Sequence, residues 1–143
     1  MSDSPIGNAP PAVTHVLLIG HCGFDGASIR RVAEKALPDA KIVVVGSSRD
    51  LETYGNPSAL WLVNRQLGGG FGTPSGVELI RQHAGQDEPP LMMLVSNFED
   101  AQAEAEAAGA LPGFGKSALG SPATLEAIRR AAAGQVELDS PQP

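Results

Sequence analysis

Four short stretches of the chain are apolar on both of the faces that a strand would present: His15-Val16-Leu17-Leu18-Ile19, Lys41-Ile42-Val43-Val44-Val45, Ala59-Leu60-Trp61-Leu62-Val63 and Leu91-Met92-Met93-Leu94-Val95. Runs of this length without alternation predict parallel strands covered by helices on both sides. The segments between them carry a helical period instead. From Ala27 to Leu37 the apolar residues Ile29, Val32, Ala33, Ala36 and Leu37 fall on one stripe, and Pro38 ends the pattern. Ser75-Gly76-Val77-Glu78 has capping-box form ahead of Leu79-Ile80-Arg81, and Asn97 and Asp100 are expected to open an alanine- and glutamate-rich helix that closes at Gly109. Ser121-Pro122 predicts a last helix with Leu125, Ile128 and Ala132 as its buried stripe. The stretch from Ser47 to Ser58 is broken and suggests about one helical turn.

A short, glycine-diluted fifth strand around Gly113-Phe114-Gly115 completes a (βα)5 alternation with an abbreviated second helix. Right-handed crossovers then require a parallel sheet with helices on both faces, and the expected fold is a flavodoxin-like three-layer sandwich of strand order 2-1-3-4-5. Ligands in such sheets sit beyond the carboxyl ends of the strands. The residues to watch are therefore Gly20 to Asp25, Asn64 to Ser75, Ser96-Asn97 and Lys116.

Length and charge narrow the picture. The 143 residues suit one domain, expected over 13–134, with disordered tails over 1–12 and 135–143, where Ser, Pro, Gly and Asp leave little to bury. Ten basic against sixteen acidic side chains give a formal charge of −6, which disfavours nucleic acid as a partner. A single cysteine, Cys22, excludes an internal disulfide, and no Cys/His spacing suggests a metal site. The N-terminus lacks the basic start and apolar core of a signal peptide, and no apolar run approaches the ~20 residues that span a bilayer, so a cytoplasmic location without membrane contact is expected.

Three motifs carry a resemblance. Gly76-Val77-Glu78-Leu79-Ile80 is similar to the G-x-E-L-L opening of the third helix of response-regulator receiver domains, and Pro89-Pro90-Leu91-Met92-Met93-Leu94 to the family's lead-in to the fourth strand. Ala107-Ala108-Gly109-Ala110 with Lys116 seven residues after Gly109 resembles the family's A-G-A-x-x-x-x-x-K, the most specific of the three. The resemblance covers roughly residues 13–134 and implies a two-component signalling or phosphorelay module. In that family an aspartate ending the third strand accepts the phosphoryl group, an acidic pair after the first strand holds Mg²⁺, and a hydroxyl and a lysine follow the fourth and fifth strands. Carried onto this chain, the acceptor position is Asn64 and the acidic pair falls on Gly20 and His21. The hydroxyl position is Ser96, or Val95 in the alternative register, and the lysine is Lys116.

The implied module is a pseudo-receiver, without catalytic residues, metal or cofactor of its own. It is expected to stand alone and to be read through protein–protein contact by a histidine kinase or another regulator, a homodimer being compatible with this. Lys116 is expected to contact Asn64 or a neighbouring carbonyl. Two alternatives come from the residues themselves. A thiol enzyme would use Cys22 activated by His21, against the plainer reading of a buried cysteine and a solvent-facing histidine. A phosphate-ligand binder would use the backbone N–H groups of Gly68 to Gly72, against the plainer reading of a flexible loop without the G-K-[ST] ending of a P-loop. His15 and His83 have no partner that can be identified from the sequence.

Overall fold

The computed structural model describes residues 13–55 and 58–133, so the expected tails and Gly134, the last residue of the expected domain, lie outside the described residues. The four apolar runs and one further strand form β1 (His15–Ile19), β2 (Lys41–Val45), β3 (Ala59–Asn64), β4 (Leu91–Val95) and β5 (Leu111–Phe114). They make one five-stranded sheet of order β2-β1-β3-β4-β5. Every pairing is parallel. This is the predicted flavodoxin-like α/β topology.

Alternation along each strand sends successive side chains to opposite faces and splits the core in two. On one face Leu17, Ile19, Trp61, Val63, Met92 and Leu94 pack with Leu51, Leu79, Ile80, Ala101 and Ala105. Those partners come from α2 (Ser48–Tyr54), α3 (Gly76–Ala84) and α4 (Glu99–Ala108). On the other face Val16, Leu18, Leu60, Leu62, Met93 and Val95 pack with Ile29, Ala33, Ala36, Ile128 and Ala131. These belong to α1 (Gly23–Ala36) and α5 (Pro122–Ala133).

Helix ends differ from expectation where a side chain is engaged elsewhere. The first helix begins at Gly23, four residues before the predicted start, because Cys22 Sγ accepts the Asp25 N–H at 3.4 Å and caps it. The second helix spans seven residues rather than one turn, with Ser47 Oγ accepting from Asp50 N at 3.3 Å. Ser75 Oγ accepts from Glu78 N as its capping motif predicts, while the Glu78 carboxylate pairs with Arg81. The fourth helix has Phe98 at its N-cap and no side-chain cap. Asn97 is absent from that role because its Oδ1 accepts from Ser117 N at 2.9 Å and Ser117 Oγ at 3.1 Å.

The glycine-rich run after β3 is not the free loop that its composition suggests. Leu67 and Phe71 are buried. Leu67 N donates to Pro74 O at 2.8 Å, and Ser48 N donates to Gly70 O at 2.7 Å, which ties the run back to the start of α2. Among the described residues no helix is long and apolar enough to cross a membrane.

Candidate functional site

The carboxyl ends of β1, β3, β4 and β5 meet at one edge of the sheet. Asn64, Arg65, Gln66, Ser96, Asn97 and Lys116, with Val95 and Phe98, line a cleft of about 250 Å³ there. Asn64 and Lys116 thus share an edge, as carried over from the resemblance, but they are not each other's partners. Lys116 Nζ lies 2.9 Å from Asp25 Oδ2 instead, with both side chains about one-third exposed. Lys116 leads a 3-10 turn (Lys116–Ala118) after β5, and Asp25 sits in the first turn of α1. The hydrogen bond from Lys116 is the main reason that the Asp25 carboxyl is held below the usual carboxylate range, and burial opposes it without reversing it.

Asn64 is held by its own amide. Its Nδ2 donates to Gly20 O at 3.1 Å and to Gln66 O at 2.8 Å, binding the end of β3 to the end of β1. Gly20 has φ 79, and a Cβ there would fall 2.5 Å from Leu67 Cδ2. Glycine answers both conditions, since an L side chain disfavours the left-handed region and this one would meet a packed leucine.

His21 and Cys22 reverse their expected exposures. Cys22 is exposed, with its sulfur used as the α1 cap. His21 is half-buried, donating from Nε2 to Leu62 O at 2.9 Å. Its Nδ1 is buried with no hydrogen-bond partner. Neither ring nitrogen meets the thiol, so the Cys22/His21 dyad is not formed. Burial, aided by the nearby Lys116 charge, pushes the His21 pKa below its ordinary value, and the hydrogen bond to Leu62 O only partly offsets this.

The hydroxyl ambiguity has a geometric side. Both Val95 and Ser96 line the cleft, but the Val95 side chain packs in the core facing α1 and α5, while Ser96 brings a hydroxyl that accepts from Phe98 N at 3.1 Å. Two residues that the sequence did not single out complete the edge. The Arg65 guanidinium lies 4.5 Å from the centre of the Phe98 ring, across the mouth of the cleft. Gln102 Nε2 lies within hydrogen-bond distance of Leu94 O, Ser96 O and Phe114 O, at 2.9, 3.1 and 3.2 Å. It bridges β4 and β5 where their register shifts. A polar residue on the inner face of an otherwise Ala-rich helix was the available signal for Gln102.

Of the other candidates, His15 shares a hydrogen bond of 2.9 Å with Thr14 Oγ1, and His83 packs edge-on to Trp61 at 4.8 Å. Among the described residues no group of three His, Cys, Asp or Glu side chains is placed to hold a metal ion.

No protein-family model and no curated protein sequence matches the chain. Solved structures do. A two-component response regulator of the LuxR family from Aurantimonas sp. SI85-9A1 superposes with a TM-score of 0.67 at 21% identity, over 86% of this chain and 87% of that one. A sensor protein from Polaromonas sp. JS666 gives 0.64 at 16% identity, covering 86% and 98%. A CheY-like response regulator receiver domain from Methylobacillus flagellatus gives 0.57 at 19%, covering 85% and 99%. At these identities the likeness is one of fold, and it extends over nearly the whole length of each partner: the chain has the fold of response-regulator receiver domains.

Proposed function

We propose that this chain is a receiver-like signalling domain that has lost phosphoryl-transfer chemistry and acts by binding a partner protein, a histidine kinase or another regulator, independently of phosphorylation. The observation that carries this reading is the pairing of Lys116 with Asp25 across the strand ends, beside an Asn64 whose amide already bonds two carbonyls. A lysine satisfied by a resident carboxylate has no need of an incoming phosphoryl group to compensate it.

The fit to Mg²⁺, which the fold family implies at this edge, is poor. The ion demands hard oxygen ligands in octahedral arrangement. Gly20 offers no side chain, His21 presents a ring whose Nε2–H is committed to Leu62 O, and the nearby Asp25 is engaged by Lys116. No carboxylate occurs at Gly20, His21, Asn64, Ser96 or Lys116, so these carried-over positions supply neither a phosphoryl acceptor nor a metal cradle. The protein is then no enzyme, and a cytoplasmic location follows from the signalling role.

Asn64→Asp tests this reading, since it restores a nucleophile without restoring the metal ligands. Incubated with acetyl phosphate and Mg²⁺, the variant should stay unphosphorylated, and calorimetric titration with Mg²⁺ should show no saturable heat. Robust phosphorylation of that single variant would mean that Asp25 leaves Lys116 to complete a working site.

A further inference from the structure

β2 is an edge strand: β1 lies on one side of it and, among the described residues, no strand lies on the other. Lys41 N donates to Thr14 O at 2.9 Å and Val45 O accepts from Gly20 N at 3.4 Å, so Lys41, Val43 and Val45 turn their backbone groups toward β1. Those of Ile42 and Val44 point the opposite way, into the open flank. Such a row of N–H and C=O groups is a template for another strand, which proteins commonly block with proline, a bulge or an inward charge. The stretch Ile42-Val43-Val44-Val45 has none of these.

Apolar side chains flank this edge on both faces of the sheet. Ile42 is buried in the core under α1, yet Val44, two residues on and on the same face, is 60% exposed. On the other face stands α2. Its residues Ser48, Leu51, Glu52 and Gly55 line the cavity between α2 and α3, so the helical period turns Asp50 and Tyr54 to the opposite flank, toward the free side of β2. Tyr54 is 39% exposed there. Charge is arranged end to end. Lys41 starts the strand on the α2 face that it shares with Val43 and Val45, and Asp50 stands beyond the far end of the strand on that face. Neither Lys41 nor Asp50 is in an ion pair among the described residues.

We propose that two copies of this chain pair antiparallel through β2, about a two-fold axis at Val43, into one continuous sheet. That axis sets Ile42 opposite Val44 of the other copy, where the outward backbone groups of both exchange hydrogen bonds and each exposed Val44 is covered. It also carries the Lys41 of each copy toward the Asp50 of the other, so the charge match is made twice. A parallel pairing would instead set Lys41 beside Lys41 and Asp50 beside Asp50, and like charges side by side repel. One chain thus holds both halves of the match, which favours a second copy over a foreign strand. The proposal is independent of the signalling reading.

Sedimentation velocity of the full-length chain up to about 1 mM, the weak end of specific association, should show a monomer–dimer equilibrium. Lys41→Asp and Asp50→Lys each set like charges together at both ends of the interface and should weaken the dimer about tenfold, while the double exchange should restore it. Val44→Pro removes an N–H that β1 does not use, so this variant should keep the wild-type circular dichroism and sediment as a monomer. Cross-linking reads the register. In a Cys22→Ser background, which keeps a capping oxygen on α1, Val43→Cys should oxidise to a covalent dimer because its two copies face each other at the axis. Val44→Cys, set opposite Ile42, should lag well behind. The proposal fails if wild type stays monomeric at the highest concentration, if a dimer survives Val44→Pro, if the folded double exchange stays monomeric, or if Val44→Cys cross-links ahead of Val43→Cys.

Discussion

Lys116 and Asp25, 91 residues apart in sequence, meet at 2.9 Å and tie the turn after β5 to the first turn of α1. The bond closes the strand-end edge from one flank, while Asn64 closes it from the centre through Gly20 O and Gln66 O. The edge is thus held by groups internal to the fold, and each contact can be removed singly.

The Lys116–Asp25 pair is about one-third exposed on each side, so solvent screens it and its coupling should be at most about 1 kcal/mol. A double-mutant cycle with Lys116→Ala and Asp25→Asn, read by urea denaturation at neutral pH, measures this. Because the folded carboxyl titrates below its unfolded value, the stability it contributes is present above the unfolded pKa and lost as pH falls through the folded one. Wild type and Lys116→Ala should therefore converge in stability as the medium is acidified through the carboxylate range.

His21 and His83 both have pKa values lowered by burial. The unfolded chain then binds protons that the folded chain refuses, so this contribution is complete above an ordinary histidine pKa and is lost as pH falls below it toward the folded values. Thermal midpoints measured between about pH 7.5 and pH 5, which brackets the histidine reference value, should fall with acidification. In a His21→Gln/His83→Gln double variant the slope over that interval should flatten.

At Gly20 the backbone is left-handed and Leu67 fills the space of a side chain. Gly20→Ala should cost about 1–3 kcal/mol by urea denaturation, from strain and crowding together. Adding Leu67→Ala should be less than additive, because the second change relieves the clash that the first creates. Any attempt to rebuild an acidic pair by Gly20→Asp and His21→Asp meets the same obstacle, and also breaks the His21 Nε2 bond to Leu62 O.

Much of this architecture can be read from the chain. The doubly apolar runs mark β1 to β4, and the stripe of Ile29, Ala33 and Ala36 marks the face of α1 that packs on them. Local capping chemistry was partly legible: Ser75 and Ser121 act as their motifs suggest, while the Ser47 cap that opens the seven-residue α2 was not read from the broken pattern around it. What stayed hidden depends on contacts far apart in sequence. Asp25 falls in the stretch expected at the strand ends, but its pairing could not be read there because its partner arrives from the other end of the chain. Asn97 reads as a helix cap until the turn bearing Ser117 comes within reach of its oxygen. Likewise the exposure of Cys22 and the burial of His21 follow from where the Leu62 carbonyl lies on the neighbouring strand, which no local pattern encodes.

The central claim is that the edge occupied by Asn64, Lys116 and Asp25 works without accepting a phosphoryl group. Intact-mass spectrometry of the wild-type protein before and after incubation with acetyl phosphate and Mg²⁺ tests it most directly. The account predicts an unchanged mass. A gain of one phosphoryl group, mapped by peptide analysis to the strand-end cleft, would contradict it and place an acceptor where Asn64 cannot serve.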